Sequence, residues 1–311
     1  MDIESSLENN PNYRFIPLGP NAAAGVIAAA FIILIFPWAY FLLRYRRFLV
    51  GAVVRLLAFT LIGATGYILR IVCNGMIPNA SSTSDQINLF INLYIASNTM
   101  TNIGNFFLFN ALTAVANSWI ESNRGVTESV RIAFERKIYR YFTLATLVAL
   151  ILNIVGASDN RNDLRIASNA IFVALLVVLL LAIIYYNFTL EIPHHRGENN
   201  NTTKSAGIYS HPSTIPRLLF ICTFLLLVSQ AYKLAQSVVP VGTVALTSIP
   251  LIYILGPTLN LIVLIILTIT WVPVFYSTLW ERKVAFERSL SEYLEPGPGG
   301  DYQMDRMNQR V

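Results

Sequence analysis

An all-α, polytopic membrane protein with seven transmembrane helices is what this sequence predicts, and three observations carry the prediction. Apolar residues fill 55% of the 311 positions and charged residues only 13%, against roughly 25% charged in average soluble domains. Several apolar runs reach the ~20 residues that cross ~30 Å of hydrocarbon. The stretch from Asn88 to Asn117 is mostly apolar yet studded with asparagines. Lipid tolerates such a helix only when its amides face protein or a water-filled cavity.

The elements follow in order. Residues 1–20 form a polar extracytoplasmic tail without a basic n-region, so the first run, 21–43, reads as a span and not as a cleaved signal peptide. Pro37 is expected to kink its far end, and Arg44, Arg46 and Arg47 stop it. The second span, 49–73, holds Arg55 inside and Arg70 near its end, with Gly51, Gly63 and Gly66 as small packing positions. The third, 88–117, would be about 45 Å long as a helix, so it must tilt or protrude. A charged loop at 119–140 is expected to be helical over 128–140. The fourth and fifth spans, 141–157 and 166–188, flank a short charged loop running from Asp159 to Arg165. A long polar loop at 190–214 precedes the sixth span, 215–237. The seventh span, 249–276, is interrupted at Gly256-Pro257 and closes the seven-helix domain, 21–276. The tail, 277–311, begins with an amphipathic helix over 278–294, where Leu279, Phe286, Leu290 and Tyr293 recur at helical spacing.

Charge sets the orientation. Most of the 22 Lys and Arg fall in loops 44–48, 119–140 and 190–217 and in the tail, whereas Arg14, Arg161 and Arg165 lie on the opposite side. The positive-inside rule therefore puts the N-terminus outside or in a lumen and the C-terminus in the cytosol. Asn79, in an Asn-Ala-Ser sequon, then lies where glycosylation occurs. The net charge of +5 implies no nucleic-acid partner, because the basic residues sit beside spans. Cys73 and Cys222 fall near opposite membrane faces, too far apart for a disulfide.

At roughly 100° per residue, Asn88, Asn92, Thr99, Asn102, Asn110, Thr113 and Asn117 fall within about 40° of one line. Such a stripe either lines a polar path or ties the helix to its neighbours, at about 0.6 kcal/mol per interhelical bond. Lys233, with Gln230 on the same face, lies near the outer end of the sixth span, and Arg70 at the outer end of the second. Pointing inward, the two cations would make a mouth for an anionic ligand or head group; alternatively they snorkel or pair with Asp85 or Asp159. No Asp or Glu sits well inside a span, which removes carboxylate proton relays and paired-acid chemistry. No Walker, zinc-ligand or Gly-x-Ser-x-Gly pattern is present. His194, His195 and His211 fall in a polar loop. No catalytic residue, metal site or cofactor is expected.

The segment Gly51 to Arg70, the run Val148 to Asp159 (VALILNIVGASD) and the span layout resemble a fungal family of seven-span integral membrane proteins of uncharacterised activity. A more distant similarity is to the fungal lipid-translocating exporters, which also have seven spans and an outside N-terminus. The resemblance implies fold and topology and carries over no site residues. The expected function is that of a non-enzymatic protein, in the plasma membrane or an endomembrane, that binds or moves an amphipathic lipid or small metabolite, serving a fungal secondary-metabolite pathway. A seven-helix receptor and a membrane-embedded cyclase or isomerase are the alternatives. The expected partners are membrane lipids and that ligand; oligomeric state is not legible.

Overall fold

The computed structural model describes residues 18–45, 48–77, 83–122, 129–158, 161–189, 214–239, 243 and 248–284, with backbone alone for 129–139 and 189. Every element among them is helical: α1 (Asn21–Arg44), α2 (Val50–Gly75), α3 (Ser84–Ser122), α4 (Ser129–Ser158), α5 (Asn162–Thr189), α6 (Thr214–Val238) and α7 (Ile249–Val284). Six of them are long and apolar enough to cross a membrane, α4 through its part Arg140–Ser158, as a multi-pass membrane protein requires. The exception is α3, whose asparagines dilute its apolar content. Large apolar side chains such as Val26, Phe36, Leu181, Phe188 and Ile269 point outward, and this exposed apolar belt is what a lipid environment calls for.

Four helices depart from the sequence expectation; one of them, α7, runs on to Val284, past the expected end at 276. With 39 residues, α3 would extend about 58 Å, beyond the expected 88–117 at both ends. The charged segment before the fourth span is continuous with it, so α4 starts at Ser129. The fifth helix starts at Asn162 and not at 166, with Asp163 in its first turn, where the helix dipole favours an anion. Arg165 therefore belongs to the helix and not to the loop.

The expected break at Gly256-Pro257 is a π-helical turn, Ile254–Thr258, inside a continuous α7. Proline lacks an N–H and clashes with the carbonyl four residues back, and widening the turn accommodates it. A second π turn, Trp271–Tyr276, surrounds Pro273. Pro37 lies inside α1, which runs on unbroken to Arg44. Asn79, His194, His195, His211 and the part of the expected amphipathic helix beyond Val284 lie outside the described residues.

Without a hydrophobic force between helices in lipid, close packing holds such a bundle. Gly63 of α2 sits under the Phe31 ring of α1, where an added Cβ would lie 2.8 Å from the ring edge. Ser97 of α3 donates to Gly66 O of α2 at 2.9 Å. Phe109 of α3 stacks on Phe142 of α4 and meets Phe172 of α5 edge-on. Ser168 of α5 donates to Ala149 O of α4 at 2.6 Å. At the end where α1 and α7 finish, Trp38 meets Trp271 at 5.2 Å and Tyr45 meets Tyr276 at 4.6 Å. The helix in touch with most others is α3: it packs along α2, α4, α5 and α6 and reaches α7 through one side-chain pair. Cys73 and Cys222 are both free and buried.

Candidate functional site

The opposite end of the bundle, where α1, α5 and α7 start and α2, α4 and α6 stop, holds a cavity of about 130 Å³. Residues of α2 to α7 line most of it, and the lining is unusually polar for an apolar bundle. From α3 come Tyr94, Asn98, Thr101, Asn102 and Asn105, which recur at spacings of three and four and so share one helix face. Asn153 closes it from α4, and Asn162, Arg165 and Asn169 from the first two turns of α5. Tyr232, Lys233, Gln236 and Ser237 come from α6, and Gly256, Pro257 and Asn260 from the π turn of α7 and the residues after it. Tyr67 and Arg70 of α2 complete the wall.

Hydrogen bonds fix part of this wall. Lys233 Nζ donates to Asn102 Oδ1 at 2.8 Å, and Asn260 Nδ2 to Asn105 Oδ1 at 2.8 Å. Asn162 Nδ2 donates to Ser237 O at 3.1 Å, joining α5 to α6. Ser229 Oγ donates to Gly256 O at 3.3 Å, so the π turn has a partner on α6. Another part is unsatisfied. Among the described residues the carboxamides of Asn98, Asn153 and Asn169 have no protein hydrogen-bond partner, and Asn153 is only 6% exposed. Asn105 Nδ2 and Asn260 Oδ1 are buried without partners as well. Buried amides in proteins are normally paired, so an unpaired set around a cavity marks a place where water or a ligand completes the bonding.

A short segment ahead of α1 covers this end. Leu18 is buried against Cys73, Phe90 and Tyr94. Its carbonyl accepts from Arg70 Nε at 2.8 Å and from Tyr253 Oη at 2.7 Å. Asn74 Nδ2 donates to Gly19 O at 3.1 Å and to Asn21 Oδ1 at 2.8 Å. The Arg70 guanidinium also lies 5.4 Å from the centre of the Tyr253 ring, a cation–π distance. One arginine thus lines the cavity and holds the cover.

Of the positions singled out from sequence, the cavity takes Asn102, Lys233 and Arg70. The rest of the α3 stripe lies elsewhere. Asn88 and Asn92 are exposed. Asn110 donates to Phe106 O at 2.8 Å, Thr113 to Phe109 O at 2.9 Å, and Asn117 to Glu121 Oε1 at 3.1 Å, all within α3. Thr99 Oγ and Gln230 Nε2 are buried without partners and do not line the cavity. The stripe is therefore not one continuous lining: its lower half bonds its own helix, and its upper end leaves the bundle. Among the described residues Lys233 pairs with an amide and not with Asp85; Asp159 lies outside them. Arg55 donates to the Asn110 backbone carbonyl at 3.4 Å.

Arg165, Asn153, Asn162, Asn169 and Asn260 were not singled out. The signal available for Arg165, Asn153, Asn162 and Asn169 was their common level, within about two turns of a helix end on one side of the membrane; Asn260 lies deeper, just after the Gly256-Pro257 turn. Among the described residues no three His, Cys, Asp or Glu side chains come together as a metal-ligating group. Comparison with protein-family models, with curated proteins and with solved structures finds no match to this chain.

Proposed function

We propose that this chain is a seven-helix membrane protein that binds or translocates an amphipathic lipid or a small metabolite through the cavity, without catalysing a reaction on it. The observation that supports this most is the set of unpaired carboxamides around a cavity inside an apolar bundle. Only a polar occupant completes their hydrogen bonding. The volume, about 130 Å³, is below the roughly 300–1,000 Å³ of pockets for drug-sized molecules. A head group or a small metabolite fits, and acyl chains would lie outside. In this reading α3 is the seventh span, with Asn98, Asn102 and Asn105 turned toward the cavity. Cells producing the chain should differ from cells lacking it in a polar or amphipathic metabolite, measured inside and outside. Asn102→Leu with Lys233→Met should remove that difference at equal protein level. Indistinguishable profiles for wild type, variant and null cells would count against the reading.

The same reading places the N-terminus, and with it the cavity, on the outer or lumenal side. The basic flank Arg44, Arg140, Arg282 and Lys283 then faces the cytosol. Produced in eukaryotic cells, the protein should lose apparent mass on treatment with an N-glycosidase, and Asn79→Gln should abolish that shift. A shift that persists in Asn79→Gln would reverse the assignment.

A further inference from the structure

We infer that the ligand of the cavity is an anion, a carboxylate or a phosphate, bound chiefly by Lys233 and Arg165. The inference rests on the binding role proposed above and names its chemical class.

Two observations carry it. The first is charge: Lys233, Arg165 and Arg70 all line the cavity, and among the described residues no Asp or Glu does. Lys233 meets only a carboxamide oxygen, and the Arg165 side chain has no hydrogen-bond or ion-pair partner among the described residues. Cations withdrawn from water without a counter-charge are costly. A cationic ligand would add repulsion, and a neutral one would leave the charges uncompensated.

The second observation is the hydrogen-bond inventory. Asn98, Asn153 and Asn169 come from three different helices, α3, α4 and α5, and have no protein partner. Each amide nitrogen offers donors, and an anion's oxygens accept several at once. Cations and amide donors around one small space match the oxygens of a carboxylate or phosphate. The anion is either a free small molecule or the head group of a lipid.

The test reads the field inside the cavity. Thr101 lines it, and wild-type Cys73 and Cys222 are fully buried, so Thr101→Cys provides a single reporter in the purified full-length chain. Its reaction with a negatively charged sulfonatoethyl methanethiosulfonate is compared with that of a positively charged trimethylammonioethyl reagent, each corrected for its rate with a free thiol. The anionic reagent should be faster by about tenfold or more, as focused fields achieve. Lys233→Gln and Arg165→Gln should each reduce that ratio, and Lys233→Arg should keep it.

Equal rates, or a faster cationic reagent, would overturn the anion assignment and leave an accessible cavity standing. No reaction in Thr101→Cys or in a second reporter, Ser237→Cys, even with a small neutral reagent, would overturn the binding role as well. Protection of the cysteine then identifies the source. Inorganic phosphate or acetate protecting it means a free anion. Phosphatidic acid in phosphatidylcholine nanodiscs protecting it, with the free anions inactive, means a head group. No protection by any of the three overturns the assignment.

Discussion

Trp271→Ala is expected to destabilise the bundle by about 3–5 kcal/mol, the range for emptying a large aromatic site in a core. Trp271 and Trp38 are both fully buried, 5.2 Å apart and edge-on. They join α7 to α1 where the second π turn has shifted the backbone around Pro273. Removing one indole leaves a void that neither helix can close, because Phe275 and Phe41 already occupy the flanks. The contrast with Trp271→Phe makes the prediction specific. The Trp271 indole N–H is buried without an acceptor, as is that of Trp38. An unmet buried donor carries a penalty of about 1–3 kcal/mol, which phenylalanine removes while leaving a smaller void. The phenylalanine variant should therefore stay within about 1.5 kcal/mol of wild type. Denaturant titration in bicelles measures both. Equal losses for the two variants would mean that the indole N–H does find a partner at this site.

How far the sequence could be read follows from what each signal measures. Apolar run length locates helices in a membrane chain, because no backbone polar group goes unpaired in hydrocarbon. The spans around α1, α2, α6 and α7 were legible on that ground alone. The helix start at Asn162 was not, since a polar turn at a membrane surface costs nothing to expose and leaves no trace in hydropathy; the helix over 128–140 was legible, but not its continuity with the fourth span. The cavity was half legible. A helical wheel gives the azimuth of a side chain on its own helix but neither its depth in the bundle nor which neighbour it meets. Asn102 and Asn110 both fall within about 40° of the same line. Asn102 meets Lys233 across the cavity, while Asn110, two turns on, bonds Phe106 O in its own helix. Asn98 and Asn105 lie outside the stripe and yet line the cavity, because the face that matters is set by where α6 and α7 cross α3. Arg165 was counted as a loop charge, and the earlier helix start makes it part of the wall.

Gly19→Val is expected to detach the segment ahead of α1 from this end of the bundle and to expose Cys73 to alkylation about a hundredfold faster than in wild type, at ~1.4 kcal/mol per factor of ten. Gly19 has φ +74°, and an added Cβ would lie 2.6 Å from Tyr253 Cε2. The left-handed backbone alone disfavours an L side chain by about 1–2 kcal/mol. The clash with the Tyr253 ring adds to that, since this ring is held in place by its bond to Leu18 O and by Arg70. The least strained escape is for Leu18 and Gly19 to leave together, with loss of the bonds from Arg70, Tyr253 and Asn74. Cys73, fully buried beside Leu18, then meets solvent. Tyr253→Phe removes one of those bonds without strain, about 0.5–1.5 kcal/mol, and should accelerate Cys73 labelling by no more than about tenfold. Cys222, equally buried on α6, reports global opening and should stay unlabelled in both variants. Labelling of Cys73 in Gly19→Val at the wild-type rate would mean that some other part of the chain shields it. Labelling of both cysteines together would mean that the cover is part of the bundle's own stability and not a separable lid. In the expected case Arg70 loses its backbone carbonyl partner, Leu18 O, and the cavity gains a cation freer to meet whatever enters.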